Sequence, residues 1–361
     1  MSRHLPKPLP LTTLLLCLAA FGGFGNAAGA VEPLRLLTWA DYAPKAVTDQ
    51  FTKETGIKVE VTLSNNEEMI SKLRATGGAG FDLAQPSQDR IAGPTLEFGI
   101  YKPIDYRQIK TASFKPELLA STKAVTMVKG VPYGVPFFWG TDGLVVVGAK
   151  PALVDYSDLC KPEFAGKVAV RLKRPTLIGM AFSLGQDPFK AYANPAQYRQ
   201  VMTAAGEKLI ACKKNLKYFW ESKDQLLNDL RSGELVAAQM WDSGGWKLNA
   251  ENPAIHFIAP RSGALGWVDA FALPAKGRND AAAYAWINFV ARPEIAAQLA
   301  KSAGSFTAIT GAEKFMPPRM QQQLDSTFSP AALKSIKWYP AIPAGLEEID
   351  GLILDRIKAA P

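Results

Sequence analysis

From residue 34 to residue 84 the apolar and polar positions follow two alternating periods. Leu34–Thr38 is an apolar run of strand length. After Pro44, the residues Ala46, Val47, Gln50, Phe51 and Glu54 take the 3.6-residue spacing of an amphipathic helix, and Gly56 stands where a left-handed C-terminal residue belongs. Ile57, Val59, Val61 and Leu63 then alternate with Lys58, Glu60 and Thr62, which predicts a half-buried strand. Residues 66–75 read as a helix broken by Gly77-Gly78, and 81–84 as a third strand ending at Gln85-Pro86-Ser87. This βαβαβ order predicts a mainly parallel sheet under helices, whose ligands lie beyond the carboxyl ends of the strands. Both Trp39-Ala40-Asp41-Tyr42 and Ser87-Gln88-Asp89 fall there.

A second set of elements follows. Residues 130–147 place Pro132, Pro136, Gly140 and Gly143 among aromatics ahead of a buried-strand run, the pattern of a crossing between domains. Residues 165–172 predict a strand, 222–246 a helix and then a strand ending in aromatics, 266–277 a further strand, and 279–304 a helix. Four groups of aromatics stand at segment ends or in the crossing, three of them with an acid: Trp39, Asp41 and Tyr42; Phe138 and Trp139; Trp241, Asp242 and Trp246; Trp267 and Asp269. An ammonium taken out of water gains about 0.5–2 kcal/mol from each ring face and charge-assisted hydrogen bonds from a carboxylate. A single Trp is more often core packing. Four clusters at crevice positions point to an amine-bearing ligand, while Trp220 and Trp286 sit inside helical patterns and read as core.

Charge and cysteine content narrow the classes. Residues 1–30 carry a basic start (Arg3, His4, Lys7), an apolar stretch over Leu11–Phe21 and Ala28-Gly29-Ala30, the pattern of a removable export signal; an uncleaved membrane anchor is the alternative. Beyond it, 39 basic and 33 acidic residues leave +6, too mild an excess to indicate nucleic-acid binding. The 331 remaining residues exceed what one core usually holds, so two domains are expected. Cys160 and Cys212 would form one disulfide in an oxidising compartment; two separate buried thiols are the alternative. Only His256 remains of the histidines, and no nucleophile elbow, zinc-protease motif, phosphate loop or CxxC occurs. The chain therefore reads as no enzyme, with no metal site and no cofactor.

The stretches 37–61, 81–87, 131–146 and 266–299 closely resemble the periplasmic polyamine-binding proteins, the spermidine/putrescine receptors of ABC importers, in order over nearly all of 34–345. The resemblance implies an α/β, two-lobed type II periplasmic-binding fold, each lobe a mainly parallel sheet flanked by helices, joined by a hinge. It places 31–138 with 269–310 in one lobe and 139–268 with 311–361 in the other. It also implies a monomer in a Gram-negative periplasm, partnered by permease subunits and a cytoplasmic ATPase.

Residue by residue, Trp39 and Tyr42 match the family's aromatic walls, Ser87 its serine after the third strand, Trp241 a further aromatic, and Trp267 with Asp269 the W-x-D that grips an amine. Departures are Asp89 for a tyrosine, Ser305-Phe306-Thr307 for Tyr-Pro-Thr, and Trp338-Tyr339 for a late Trp-Gln pair. Where the family has a D-x-x-E pair for the distal amine, this chain has Lys173 and Thr176. Two ligand classes therefore stand open. Lys173 and Arg174 would hold the acid group of an ω-amino acid such as 4-aminobutyrate or 5-aminovalerate. With that segment turned to solvent, Asp41, Asp89 and Asp269 would hold a diamine, with Trp139 among the expected contacts. A ferric carrier is a remoter class, because its usual adjacent tyrosines are missing: Tyr339 precedes Pro340.

Overall fold

The first strand, Leu34–Thr38, lies between Val59–Leu63 and Leu83–Ala84 in a three-stranded parallel sheet. The computed structural model describes residues 31–148 and 153–361, so the export signal expected over 1–30 lies outside the described residues. Paired on both edges, the first strand buries Leu34, Leu36 and Leu37 completely. Helix Lys45–Thr55 covers it with Val47 and Phe51 and ends where Gly56 turns to φ +75° and donates its N–H to the Thr52 carbonyl. Helix Asn66–Thr76 begins on an Asn65 side chain that accepts from the Glu68 N–H. The half-buried alternation expected of Val59–Leu63 is not met, since Val61 and Leu63 are exposed. This strand is an edge with one sheet neighbour, and of its apolar residues only Val59 packs on the core.

The second sheet runs Lys337–Trp338, Leu265–Phe271, Val135–Val147, Ala237–Trp241, Val168–Val170, Leu216–Phe219. Strands Ile255–Ile258 and Phe306–Thr307 also pair with the 13-residue strand Val135–Val147. This sheet is mixed: Val168–Val170 is parallel to both neighbours, whereas the long strand is antiparallel to all of its own. Strand Leu265–Phe271 reaches toward both sheets, because Asp269 within it bridges to Ser87 and Ala272 just beyond its end bridges to Ala84. Its register against the long strand slips between Asp269, opposite Phe138, and Ala270, opposite Pro136. Pro136 has no N–H for the ladder, and such a bulge re-aims the side chains beside it.

The single helix expected over 279–304 is two, Asp280–Val290 and Pro293–Ala303. Pro293 cannot continue the first, and it pushes Arg292 into extended conformation to open the second. Cys160 and Cys212 form a disulfide, Cα–Cα 4.8 Å, between a short helical turn and the end of helix Pro195–Cys212. Among the described residues no helix is long and apolar enough to cross a membrane.

Candidate functional site

Strand ends from both sheets line one cavity of about 300 Å³, the lower end of the range for small-molecule sites. Of the residues expected from sequence, Trp39, Asp41, Tyr42, Ser87, Asp89, Lys173, Arg174, Trp241, Trp267, Asp269, Ser305 and Tyr339 line it; Trp139 and Thr176 do not.

Asp269 is buried, and neutral groups hold its carboxylate. Oδ2 accepts from the Tyr42 hydroxyl at 2.5 Å and Oδ1 from the Ser87 hydroxyl at 2.7 Å. Asn66 fixes Ser87 in turn, accepting its backbone N–H at 2.9 Å and donating to its Oγ at 3.0 Å. Among the described residues no cation pairs with Asp269. Burial pushes its pKa up to about 6, against the pull of the Tyr42 and Ser87 hydrogen bonds, and Asp89 adds to the rise. Burial also drives the Tyr42 hydroxyl well above its usual range, with Asp269 adding to it, so Tyr42 stays a donor. The Trp39 wall is anchored by its indole N–H on the Gln85 carbonyl at 2.8 Å. Asp41, in a left-handed turn at φ +68°, is exposed at the same rim.

One further acid lies outside the residues expected from sequence. Asp142, in the crossing strand, is buried, lines the cavity, and is pushed up to about 7 by burial, with Arg171 opposing and Asp242 and Asp269 adding. The signal was present: Asp142 follows Trp139 in the same aromatic stretch. Side chains alternate along a strand, so Phe138, Gly140 and Asp142 share one face and Trp139 takes the other. Phe138 packs edge-on against Tyr42 at 4.8 Å. Gly140 leaves room for Trp267; a Cβ there would sit 2.4 Å from the indole. Trp139, on the far face, stacks on Phe306 at 4.7 Å, which is why it misses the cavity.

The Trp241 cluster divides as well. Asp242 accepts from the Thr141 N–H and hydroxyl at 2.7 and 2.9 Å and from the Ser243 N–H at 2.6 Å. It ties the long strand to helix Asp242–Glu251, burial pushing it up to about 7 against the Thr141 and Ser243 hydrogen bonds. Trp246 lies on that helix in the core, edge-on to Phe306, its N–H donated to the Thr327 hydroxyl at 3.0 Å.

The basic segment differs most from expectation. Arg174 is buried, donates to Asp350 Oδ2 at 2.8 Å, bonds the Tyr192 hydroxyl and lies over the rings of Tyr192 and Tyr339. Asp350 also accepts from Tyr198 at 2.7 Å. Arg174 is thus committed to the fold. Asp89 lies 3.7 Å from both Arg90 and Arg174; burial raises its pKa while those two cations oppose the rise. It is already balanced before an amine arrives. The Thr176 hydroxyl turns back to the Arg171 carbonyl, closing the strand-to-helix turn. Lys173 lines the cavity with no carboxylate at ion-pair distance among the described residues. No group of three or more His, Cys, Asp or Glu among the described residues is arranged to hold a metal ion.

Comparison with known proteins shows the family from sequence and the fold from solved structures. Residues 46–324 match the family described as bacterial extracellular solute-binding protein. Spermidine/putrescine-binding periplasmic protein 1 of Haemophilus influenzae is 30% identical over 319 residues, 86% of this chain and 85% of its own. The spermidine/putrescine-binding periplasmic protein of Escherichia coli K12 is 28% identical over 84% of this chain and 86% of its own. The solved spermidine/putrescine ABC transporter substrate-binding protein of Streptococcus pneumoniae superposes with a TM-score of 0.70 at 23% identity, covering 91% of this chain and 99% of that one. The chain therefore has the two-lobed type II periplasmic-binding fold.

Proposed function

The chain belongs to the bacterial extracellular solute-binding proteins, and from that premise we propose that it is the periplasmic receptor of an ABC importer for a small, amine-bearing metabolite of the polyamine type. The observation that carries this reading is Asp269, a buried carboxylate in a cavity wall, oriented by Tyr42 and Ser87 and with no cation paired to it among the described residues. A ligand ammonium supplies that cation. Asp142 offers a second carboxylate, and Trp39, Trp241 and Trp267 supply the π-faces and apolar walls for a methylene chain. The protein binds and releases its ligand without altering it.

Lobe 1 comprises 31–138 and 269–310, and lobe 2 comprises 139–268 and 311–361, with the long strand and Leu265–Phe271 passing between them. Each lobe gives part of the site: Trp39, Tyr42, Ser87 and Asp269 from the first, Asp142, Trp241 and Trp267 from the second. A ligand touching both stabilises the closed form by its differential affinity. That form docks on permease subunits served by a cytoplasmic ATPase. The test is titration calorimetry with putrescine and spermidine, joined to small-angle scattering. Binding with compaction is the expected result; no heat and no compaction with any aliphatic amine refutes the reading.

A further inference from the structure

We propose that Arg171 reads a carboxylate at the far end of the bound amine, so that the preferred ligand is an ω-amino acid over the bare diamine of equal length. This rests on the amine-binding reading above and adds what the second pole of the same cavity takes.

Arg171 stands just past the carboxyl end of strand Val168–Val170 and lines the cavity with Asp142 and Asp269. Two indoles hold its guanidinium, which lies 5.3 Å from the Trp220 ring and 5.1 Å from the Trp241 ring. Those rings meet edge to face at 5.4 Å, and the Trp220 N–H is tied to the Gln239 carbonyl at 3.0 Å. A planar fork clamped in this way loses little freedom when it engages a second planar group, and a carboxylate fits it two-to-two.

Among the described residues no carboxylate reaches ion-pair distance of Arg171, and its Nε is buried with no acceptor. Lys173 and Lys223 line the same cavity and are likewise without an ion pair among the described residues. Asp142 feels the charge of Arg171, and Glu67 feels both Arg171 and Lys173, yet Glu67 is held by Arg90 at 3.4 Å. Among the described residues, three unpaired cations thus share the cavity with three unpaired acids, Asp142 and Asp269 buried and Asp41 exposed at the rim.

A diamine brings two positive charges, and at its second ammonium the repulsion of Arg171, Lys173 and Lys223 across a poorly solvated gap offsets the attraction that Asp142 offers. It also brings no acceptor. Trp267 Nε1 and the Tyr339 hydroxyl, both in buried residues of the cavity lining, have no hydrogen-bond partner among the described residues. A carboxylate supplies two acceptor oxygens and a negative charge at the pole where Arg171, Lys173 and Lys223 gather.

The experiment is calorimetric titration of the exported chain, and of its Arg171→Gln and Arg171→Lys variants, with 4-aminobutyrate and putrescine. The parent is expected to bind 4-aminobutyrate at least about tenfold more tightly, the worth of one charge-assisted hydrogen-bond set. Arg171→Gln weakens 4-aminobutyrate by about ten- to a hundredfold and leaves putrescine equal or tighter. Arg171→Lys falls between, keeping the charge and losing the fork. A merely structural role for Arg171 would move both ligands the same way. Putrescine as the tighter ligand of the parent overturns the proposal and leaves the amine-receptor reading intact; that ranking decides even if a variant fails to fold. Failure of every amine to bind removes the receptor reading, and this proposal with it.

Discussion

Replacing Asp269 by Asn should separate affinity from stability. The change keeps the shape and removes one charge beside the Tyr42 and Ser87 hydroxyls. An ammonium about 3 Å from Asp269 is attracted by about 5 kcal/mol at an effective dielectric constant of about 20. Desolvation reduces that to about 2–4 kcal/mol net, so affinity should fall by about thirty- to a thousandfold. Stability moves differently. Burial raises the Asp269 pKa to about 6 from an unfolded value near 4. Between those values the native state binds more protons than the unfolded one, so stability falls as pH rises through that window. By pH 7 this amounts to about 3 kcal/mol. The amide escapes that cost, though it accepts well from only one of the two hydroxyls and gives back about 1–3 kcal/mol. The unliganded variant should therefore melt at or slightly above the parent at pH 7 while losing ligand. Calorimetric titration with the best-bound amine, beside melting curves at pH 5 and pH 8, measures both. An affinity within about threefold of the parent would refute the argument, since so small a loss is inconsistent with an ion pair in a buried site.

Three further outcomes follow from the same structure. Asp269 and Asp142 are raised to about 6 and about 7, so an arriving ammonium must displace protons below neutral pH; affinity should rise from pH 5 to 8, with proton uptake by the buffer in calorimetry, and a flat profile would contradict it. Arg174→Ala leaves Asp350 and Asp89 buried beside a lost cation and should cost about 3–5 kcal/mol in denaturant unfolding; a loss under about 1 kcal/mol would show that the pair is not buried as described. Paired Cys160→Ser and Cys212→Ser substitutions open a loop of sequence separation 52 and should remove about 4 kcal/mol of stability, with ligand affinity unchanged at temperatures where the protein stays folded.

Much of the local structure was legible in the chain because it rests on local periodicity. The first strand, its helix with Gly56 at the end, and the helix over Asn66–Thr76 follow from spacing and capping alone. What failed needed neighbours. Val61 and Leu63 alternate like buried residues, yet their strand is an edge. The mixed second sheet depends on which distant strands flank the long one.

The same division holds at the site. The sequence alone determined that aromatics and acids gather where strands end; its resemblance to the polyamine receptors adds that a basic segment stands where those have an acidic pair. It could not assign charges to partners, because an ion pair depends on distances between residues far apart in the chain. Tertiary packing joined Arg174 to Asp350 and Asp89, across 176 and 85 positions, and so balanced their charges within the protein. Packing also left Arg171 clamped and, among the described residues, unpaired, and the pleat of one strand chose Asp142 over Trp139. Composition sets which charges a chain owns. Only the fold decides which of them it has already neutralised, and the remainder is what a ligand meets.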